Sequence, residues 1–370
     1  MEPLRVVIAG GGTGGHLFPG IAVAHEIVAR VPSATVTFAG TSRGLEARVV
    51  PREGFELDVI RSAGLKGKSL ASLARGVSLL PLSAADAWRV VTRRRPHVAV
   101  GVGGYSSGPV IAIAAVRGTR TMVLEPNAVP GLANRMLAPM VDAAAVTYEE
   151  TLRYFGPRGF VSGNPVRAGF CAVGVPDVER APDGPRQVLV FGGSQGAHAI
   201  NMAMIDAAPR IVSSRGAVTI THQTGVHDLD AVRAAYAERH VDVRVEAFID
   251  DMDRHMAAAD VIVCRAGATT LAEVTAAGRA AVLIPLPTAT DDHQRHNAGA
   301  LVRLGAAEMI EQRELSGTRL ADVVLALLGD DERRLGMAAR ARAAARPDAA
   351  RLIVDRLLSL ATGHASAGRG

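Results

Sequence analysis

Short apolar runs recur along the chain, spaced to leave one helix between each pair. The first is Leu4 to Ala9, which stops at a glycine cluster, Gly10 to Gly15, ahead of a helical pattern from about Phe18 to Arg30. Further strand-like runs lie at 35–39, 57–60, 97–101, 121–124, 143–147 and 159–162. Beyond residue 163 the texture changes: residues 163–187 carry four prolines and four glycines and no period, which reads as a linker. The pattern restarts with an apolar run at 187–191, a second glycine loop, Gly192 to Gly196, and a helix from about Ala197 to Val212. Strands follow at 218–221, 243–246, 261–264, 281–284 and 307–310. Strands alternating with helices argue for parallel sheets covered on both faces. Because strand, glycine loop and helix occur twice, the chain is expected to be α/β, with two Rossmann-like doubly wound domains and a cleft between them. Ligands belong at the carboxyl ends of such strands. The expected bounds are 1–163 for the first domain, 164–186 for the linker, 187–344 for the second domain and 363–370 for a disordered tail.

Composition narrows this picture. The chain has 370 residues, 48% hydrophobic and 21% charged, which excludes wholesale disorder and fibrous structure. Two cysteines, Cys171 and Cys264, exclude a disulfide scaffold and a cysteine-rich zinc cluster. No run reaches the ~18 apolar residues of a membrane-spanning helix, and the N-terminal run is too short for a signal peptide. A cytoplasmic protein is expected, with any membrane contact peripheral.

The candidate chemistry lies at strand ends. Gly10, Gly12 and Gly15 fit G-x-G-x-x-G, whose backbone N–H groups and following helix suit a phosphate. The same spacing also serves a tight turn without ligand. A nicotinamide site wants a carboxylate after the second strand, but FAGTSRG (38–44) has none, and Arg43 leaves only a 2′-phosphate variant open. In CRAGATTLAE (264–273), Thr269 and Thr270 can cap a helix or bind phosphate, and Glu273 can accept from two ribose hydroxyls. The polar run Asp292, His293, Gln294, His296 and Asn297 suits sugar hydroxyls; a metal reading lacks a second ligand group at a recognisable spacing, so no metal is expected. His16 is a candidate general base or an orienting residue. Tyr105, Glu125, Asn127 and Asn134 belong to loops after two further strands, at the same mouth.

Charge adds one feature. Residues 61–95 hold eight basic residues and one acid, for +7, while the whole chain is only +5. Lys66, Lys68, Arg75, Trp88, Arg89, Arg93, Arg94 and Arg95, mixed with leucines, suit an anionic lipid surface. Nucleic acid is the competing partner of a basic patch, disfavoured because aromatics do not interleave with the charges. An ordinary helix with a solvated face also fits.

Taken together, GGGTGGHLFPG (10–20), GGYSSGP (103–109), EPNAVPGLANR (125–135), GNPVR (163–167), GGSQGAHAIN (192–201), HQTG (222–225), FIDDM (248–252), CRAGATTLAE and DDHQRHNA (291–298) resemble the MurG family of bacterial N-acetylglucosaminyltransferases, in order over about residues 4 to 310. The resemblance implies the GT-B fold, with a C-terminal helix (345–362) packing back on an acceptor- and membrane-associating first domain. It implies UDP-N-acetylglucosamine (UDP-GlcNAc) as donor and lipid I as acceptor, inversion at the sugar, no cofactor, and no essential metal. It also implies a place on the cytoplasmic face of the cell membrane, next to cell-wall and division machinery. By position, it implies donor contacts from Thr13, Gly14, Gly15, Asn127, Arg167 and Ser194. It would put Tyr105, Glu125 and Asn134 on the acceptor side. Ile249 would hold uracil through its main chain. Ala268, Thr269, Thr270, Leu271, Ala272 and Glu273 would hold diphosphate and ribose, Gln294 and Asn297 the sugar, and Arg265 is a candidate cation beside the leaving group. Pro126 and His293 depart from the family pattern. A UDP-GlcNAc 2-epimerase, another lipid glycosyltransferase and a non-catalytic nucleotide-binding protein are the alternative readings.

Overall fold

A computed structural model describes residues 3–42, 44–62, 70–167, 169–170, 184–193, 196–214 and 217–367. The chain forms two compact units. One comprises Met1–Arg167 and Arg346–Gly370, the other Ala168–Ala345.

The first unit holds β1 (Arg5–Gly10), β2 (Thr35–Gly40), β3 (Glu56–Val59), β4 (Val98–Gly103), β5 (Arg120–Glu125), β6 (Ala143–Val146) and β7 (Gly159–Val161). They form a parallel sheet in the order β3-β2-β1-β4-β5-β6-β7. Every residue of β4 is buried, as expected of a strand covered on both faces. Helices α1 (Gly14–Arg30), α2 (Glu46–Arg52), α3 (Leu70–Arg94), α4 (Ser107–Val116) and α5 (Leu132–Leu137) lie between the strands. Strand order reverses between β1 and β4. Their C-terminal loops, Gly10–Gly15 and 103–109, therefore flank the switch point, where open α/β sheets bind ligands.

In the second unit β8 (Arg186–Phe191), β9 (Val218–Gln223), β10 (Arg244–Glu246), β11 (Val261–Cys264), β12 (Ala280–Leu283) and β13 (Glu308–Met309) form a parallel sheet in the order β10-β9-β8-β11-β12-β13. Helices α6 (His198–Val212), α7 (Leu229–Glu238), α8 (Met252–Ala258), α9 (Ala268–Ala277), α10 (His293–Arg303), α11 (Gly317–Leu328) and α12 (Asp331–Ala344) complete it. Here the reversal lies between β8 and β11, so the second glycine loop and 265–270 flank that switch point.

The last helix, α13 (Ala349–Ala367), belongs to the first unit. Ile353, Val354 and Leu357 are fully buried in the core that α1 covers, each stabilising by about 1.5–3 kcal/mol. Arg30 pairs with Asp355 at 2.7 Å. The first unit continues to Arg167 before the chain changes unit, β8 opens at Arg186, and α13 runs to Ala367. Much of the expected linker, residues 168 and 171–183, lies outside the described residues.

Candidate functional site

In the first unit, Thr13 is the N-terminal cap residue of α1, and its carbonyl accepts from the His16 and Leu17 N–H groups at 3.2 and 3.1 Å. One turn in, the His16 imidazole comes back to the Thr13 hydroxyl, with Nδ1 to Oγ1 at 3.2 Å. Gly103 makes room for the ring. It sits at φ +92°, and a Cβ there would come 2.6 Å from His16 Cδ2. The loop after β4 is thereby packed against the loop after β1, and Tyr105 on it is 56% exposed.

Beneath the first glycine loop lies Glu46, fully buried at the start of α2. Gly12 N–H donates to its Oε2 at 2.7 Å, while Thr41 N–H and Oγ1 donate to Oε1 at 2.9 and 2.7 Å. Burial pushes this carboxyl up, but the donors from Gly12 and Thr41 outweigh it and hold it below the ordinary carboxylate range. This acid stands two residues beyond FAGTSRG (38–44). A carboxylate does follow β2, turned inward onto the loop backbone.

Glu125 and Asn134, expected on the acceptor side, are both buried. Asn127 N–H, Asn127 Nδ2, Gly131 N–H and Asn134 Nδ2 all donate to the Glu125 carboxyl, at 3.0, 3.1, 3.0 and 3.0 Å. Burial pushes its pKa up, and the four donors pull the other way. Glu125 therefore shapes the 125–134 loop, including Asn127. Arg167 is exposed and stacks over Phe18, 5.2 Å from the ring centre.

In the second unit, Gly196 (φ +76°) opens the chain onto α6, where a Cβ would strike Thr224 O at 1.8 Å. Ser194 lies outside the described residues. The side chain of Gln223, 2% exposed, ties the loop to its neighbour. Its Nε2 donates to Gly193 O at 3.0 Å, and its Oε1 accepts Ile249 N–H at 2.8 Å. Ile249 thus has its N–H committed to Gln223. Behind this pair His222 is fully buried between Tyr236 OH (2.9 Å) and Asn201 Oδ1 (3.1 Å). Burial drives its pKa down to about 4. Asn201 Nδ2 in turn donates to Thr224 O (3.0 Å) and Asp228 (2.7 Å).

Helix α9 starts after Gly267 with no acid in its first turn. The first turn of this helix, with the Thr269 and Thr270 side chains half-buried in it, suits an anion. Ala268, Leu271 and Ala272 provide that turn's backbone, and Glu273 is buried one turn in. Arg265 donates from Nη1 to Ile284 O and Pro285 O at 3.1 and 3.2 Å, and burial lowers its pKa. Through Nη1 it holds the chain just after β12. Gln294 Oε1 accepts from Ala266 N–H and Leu286 N–H at 3.3 and 3.0 Å, leaving its Nε2 for a sugar hydroxyl. Asn297 is fully buried behind it. Among the described residues no group of three His, Cys, Asp or Glu side chains is placed to hold a metal ion.

On the expected membrane patch, Trp88 is 48% exposed, with the Arg117 guanidinium 4.5 Å over its ring. Arg89 reaches Asp86 at 3.4 Å. Arg93 and Arg94 both pair with buried Asp58, and Arg94 also with Glu56. These two arginines therefore also anchor α3 to β3. Arg95 follows them at φ +44°. Lys66 and Lys68 lie outside the described residues, as does the Arg75 side chain.

Residues 6–146 match the glycosyltransferase family 28 N-terminal domain, and residues 187–353 its C-terminal domain. A relative from Pelobacter propionicus, named UDP-N-acetylglucosamine--N-acetylmuramyl-(pentapeptide) pyrophosphoryl-undecaprenol N-acetylglucosamine transferase, is 47% identical over 96% of this chain and 99% of its own length. The crystal structure of Acinetobacter baumannii MurG superposes with a TM-score of 0.79 at 29% identity, covering 96% of this chain and 100% of that one. A UDP-N-acetylglucosamine 2-epimerase from Listeria monocytogenes, described as putative, reaches a TM-score of 0.67 over 96% of both chains at 16% identity, a likeness of fold alone. The GT-B fold thus stands, and the chain belongs to glycosyltransferase family 28, within its MurG group of N-acetylglucosaminyltransferases.

Proposed function

We infer that this chain transfers N-acetylglucosamine from UDP-GlcNAc to the C4 hydroxyl of the N-acetylmuramyl unit of undecaprenyl-pyrophosphoryl-MurNAc-pentapeptide (lipid I), giving lipid II. The observation that carries this reading is near full-length likeness, at 47% identity, to a relative named for that reaction. In the reaction the bond from the sugar C1 to the UDP oxygen breaks and a bond to the acceptor O4 forms. The acceptor proton passes to a base, and negative charge grows on the departing diphosphate.

The two units suit different parts of this chemistry. The α9 N-terminus, without a nearby acid in its first turn, is the better cradle for the diphosphate. The first glycine loop already has a carboxylate, Glu46, bonded to Gly12 N–H, which weakens it as an anion site. His16 is the base candidate, held by Thr13 and seated against Gly103. The donor therefore belongs to residues 249–294 of the second unit and the acceptor hydroxyl to the His16 side of the first.

Peripheral attachment to an anionic membrane goes with a lipid acceptor. Exposed Leu80, Leu82 and Trp88 on α3 support it, and among the described residues no helix is long and apolar enough to cross a membrane. Radiolabelled UDP-GlcNAc incubated with a lipid I analogue, with and without EDTA, tests the whole reading. Label in the lipid product is expected in both reactions. Free N-acetylmannosamine or epimerised donor, with no labelled lipid, would favour the epimerase reading instead.

A further inference from the structure

Helix α12 gives one arginine to the end of each of two other helices. Arg342 Nη2 donates to Ala277 O, the last carbonyl of α9, at 3.2 Å. Arg340 Nε donates to Gly305 O, just beyond α10, at 2.9 Å. Residues two apart lie about 200° apart around a helix, so these side chains leave opposite flanks of α12. Each one lies against a left-handed glycine, Gly278 at φ +60° after α9 and Gly305 at φ +64° after α10. A Cβ on Gly278 would come 2.6 Å from Arg342 Nε, and one on Gly305 2.8 Å from Arg340 Nε. The guanidinium groups therefore occupy the space that a side chain at either helix end would fill.

The start of α12 is itself fixed. Asp330 caps it, accepting the Arg333 N–H at 2.9 Å. Arg334, 4% exposed, pairs with Asp331 at 2.5 Å and lies 3.9 Å from Asp260. Asp260, just before β11, accepts the Gln187 N–H of β8 at 2.7 Å. So α12 is tied to the sheet at one end and to α9 and α10 further along. At the opposite ends of α9 and α10, Gln294 Oε1 accepts from both Ala266 N–H and Leu286 N–H. The placing of one helix against the other is thus held at both ends. Helix α9 spans 10 residues, about 15 Å, and a hydrogen-bonded rod of that length carries a shift from one end to the other. A cation at a helix C-terminus adds stability wherever it falls. That accounts for either arginine alone, but not for one helix serving the two whose other ends the donor reading uses.

We propose that Arg340 and Arg342 are positioning residues for the donor: from the far ends of α10 and α9 they set the spacing between the helix starts that receive the sugar and the diphosphate. This rests on the donor reading above, with the diphosphate at the start of α9 and the sugar at Gln294 on α10. UDP engages the first of these and UDP-GlcNAc engages both. A change in the placing of α10 therefore weakens the sugar nucleotide more than UDP, while a change in α9 weakens both.

The test is calorimetry on the full chain with UDP-GlcNAc and with UDP. Arg340→Met should weaken UDP-GlcNAc about fivefold or more and UDP by less than about twofold. Arg342→Met should weaken both by about fivefold. Partial unfolding divides both affinities by one factor, so for Arg340→Met the ratio of the two decides whatever the stability of the variant. For Arg342→Met the folded fraction, read from urea unfolding, corrects the measured affinities. The proposal is overturned if Arg340→Met keeps the parent's ratio, or if Arg342→Met after correction binds UDP as the parent does. A parent chain that binds neither nucleotide overturns the donor reading, and this proposal with it.

Discussion

Gln223 Oε1 accepts the Ile249 N–H at 2.8 Å while the same amide's Nε2 donates to Gly193 O, so one side chain sets the spacing between two loops at the ends of β8 and β10. Both loops belong to the donor side of the reaction proposed above. Gln223→Met keeps the length of the side chain and removes both bonds, leaving a buried N–H and a carbonyl without their partner. Each such loss costs about 1–3 kcal/mol. UDP affinity measured by calorimetry should fall about tenfold to a hundredfold. Gln223→Glu keeps the Ile249 bond and sets a carboxylate against Gly193 O, so it should fall between the two. Equal UDP affinity in all three proteins would rule out this positioning role.

Glu46 does for the first glycine loop what Gln223 does for the second. In Glu46→Gln an NH2 group would face the Gly12 N–H, or, with the amide reversed, the Thr41 donors. The buried site then loses about 1–3 kcal/mol and the loop shifts. We expect a lower kcat and a higher acceptor KM, with UDP binding unchanged because the donor loops belong to the other unit. Parallel damage to UDP binding would show that the loop serves the donor instead.

Thr13 and His16 form the third pair. If the imidazole accepts the acceptor proton at Nε2, its Nδ1 must carry a hydrogen and donate it to Thr13 Oγ1. His16→Ala should then reduce kcat by ~10²-fold or more. Thr13→Val, matched in shape but without the hydroxyl, should lower kcat by a smaller factor and displace the acidic limb of the pH–rate profile, where a general base is lost to protonation. Thr13→Ser should restore both. A loss below about tenfold in His16→Ala excludes the base role.

The strand runs and glycine loops were legible because backbone geometry imposes local rules. Gly103 and Gly196 sit at positive φ with other groups where a Cβ would go, and glycine alone meets that demand. What local pattern could not carry was which polar atoms are already in use. Glu46 reaches Gly12 across 34 residues, and Gln223 reaches Ile249 across 26. Nor could it show that tertiary packing buries Glu125 and Asn297. Arg93 and Arg94 looked like solvated charges until β3 brought Asp58 beneath them. A charge count along the sequence has no access to such pairings.

His222 makes the fold sensitive to mild acid. Burial lowers its pKa from the ordinary 6.5 to about 4, so between those values the unfolded chain binds a proton that the folded chain refuses. The sign follows: this contribution is fully present above pH 6.5 and is lost as pH falls towards 4, in all about 3 kcal/mol. Other groups titrate over the same range, so the comparison must be with a variant. His222→Gln cannot take up the proton and should lose less stability between pH 7 and pH 4.5 than the parent chain, whatever its stability at pH 7. Urea unfolding at stepped pH, followed by a probe in the second unit, measures the difference. Parallel curves for the two proteins would mean that His222 stays neutral in the unfolded chain as well, or is protonated while folded; in either case it is not the acid-sensitive element.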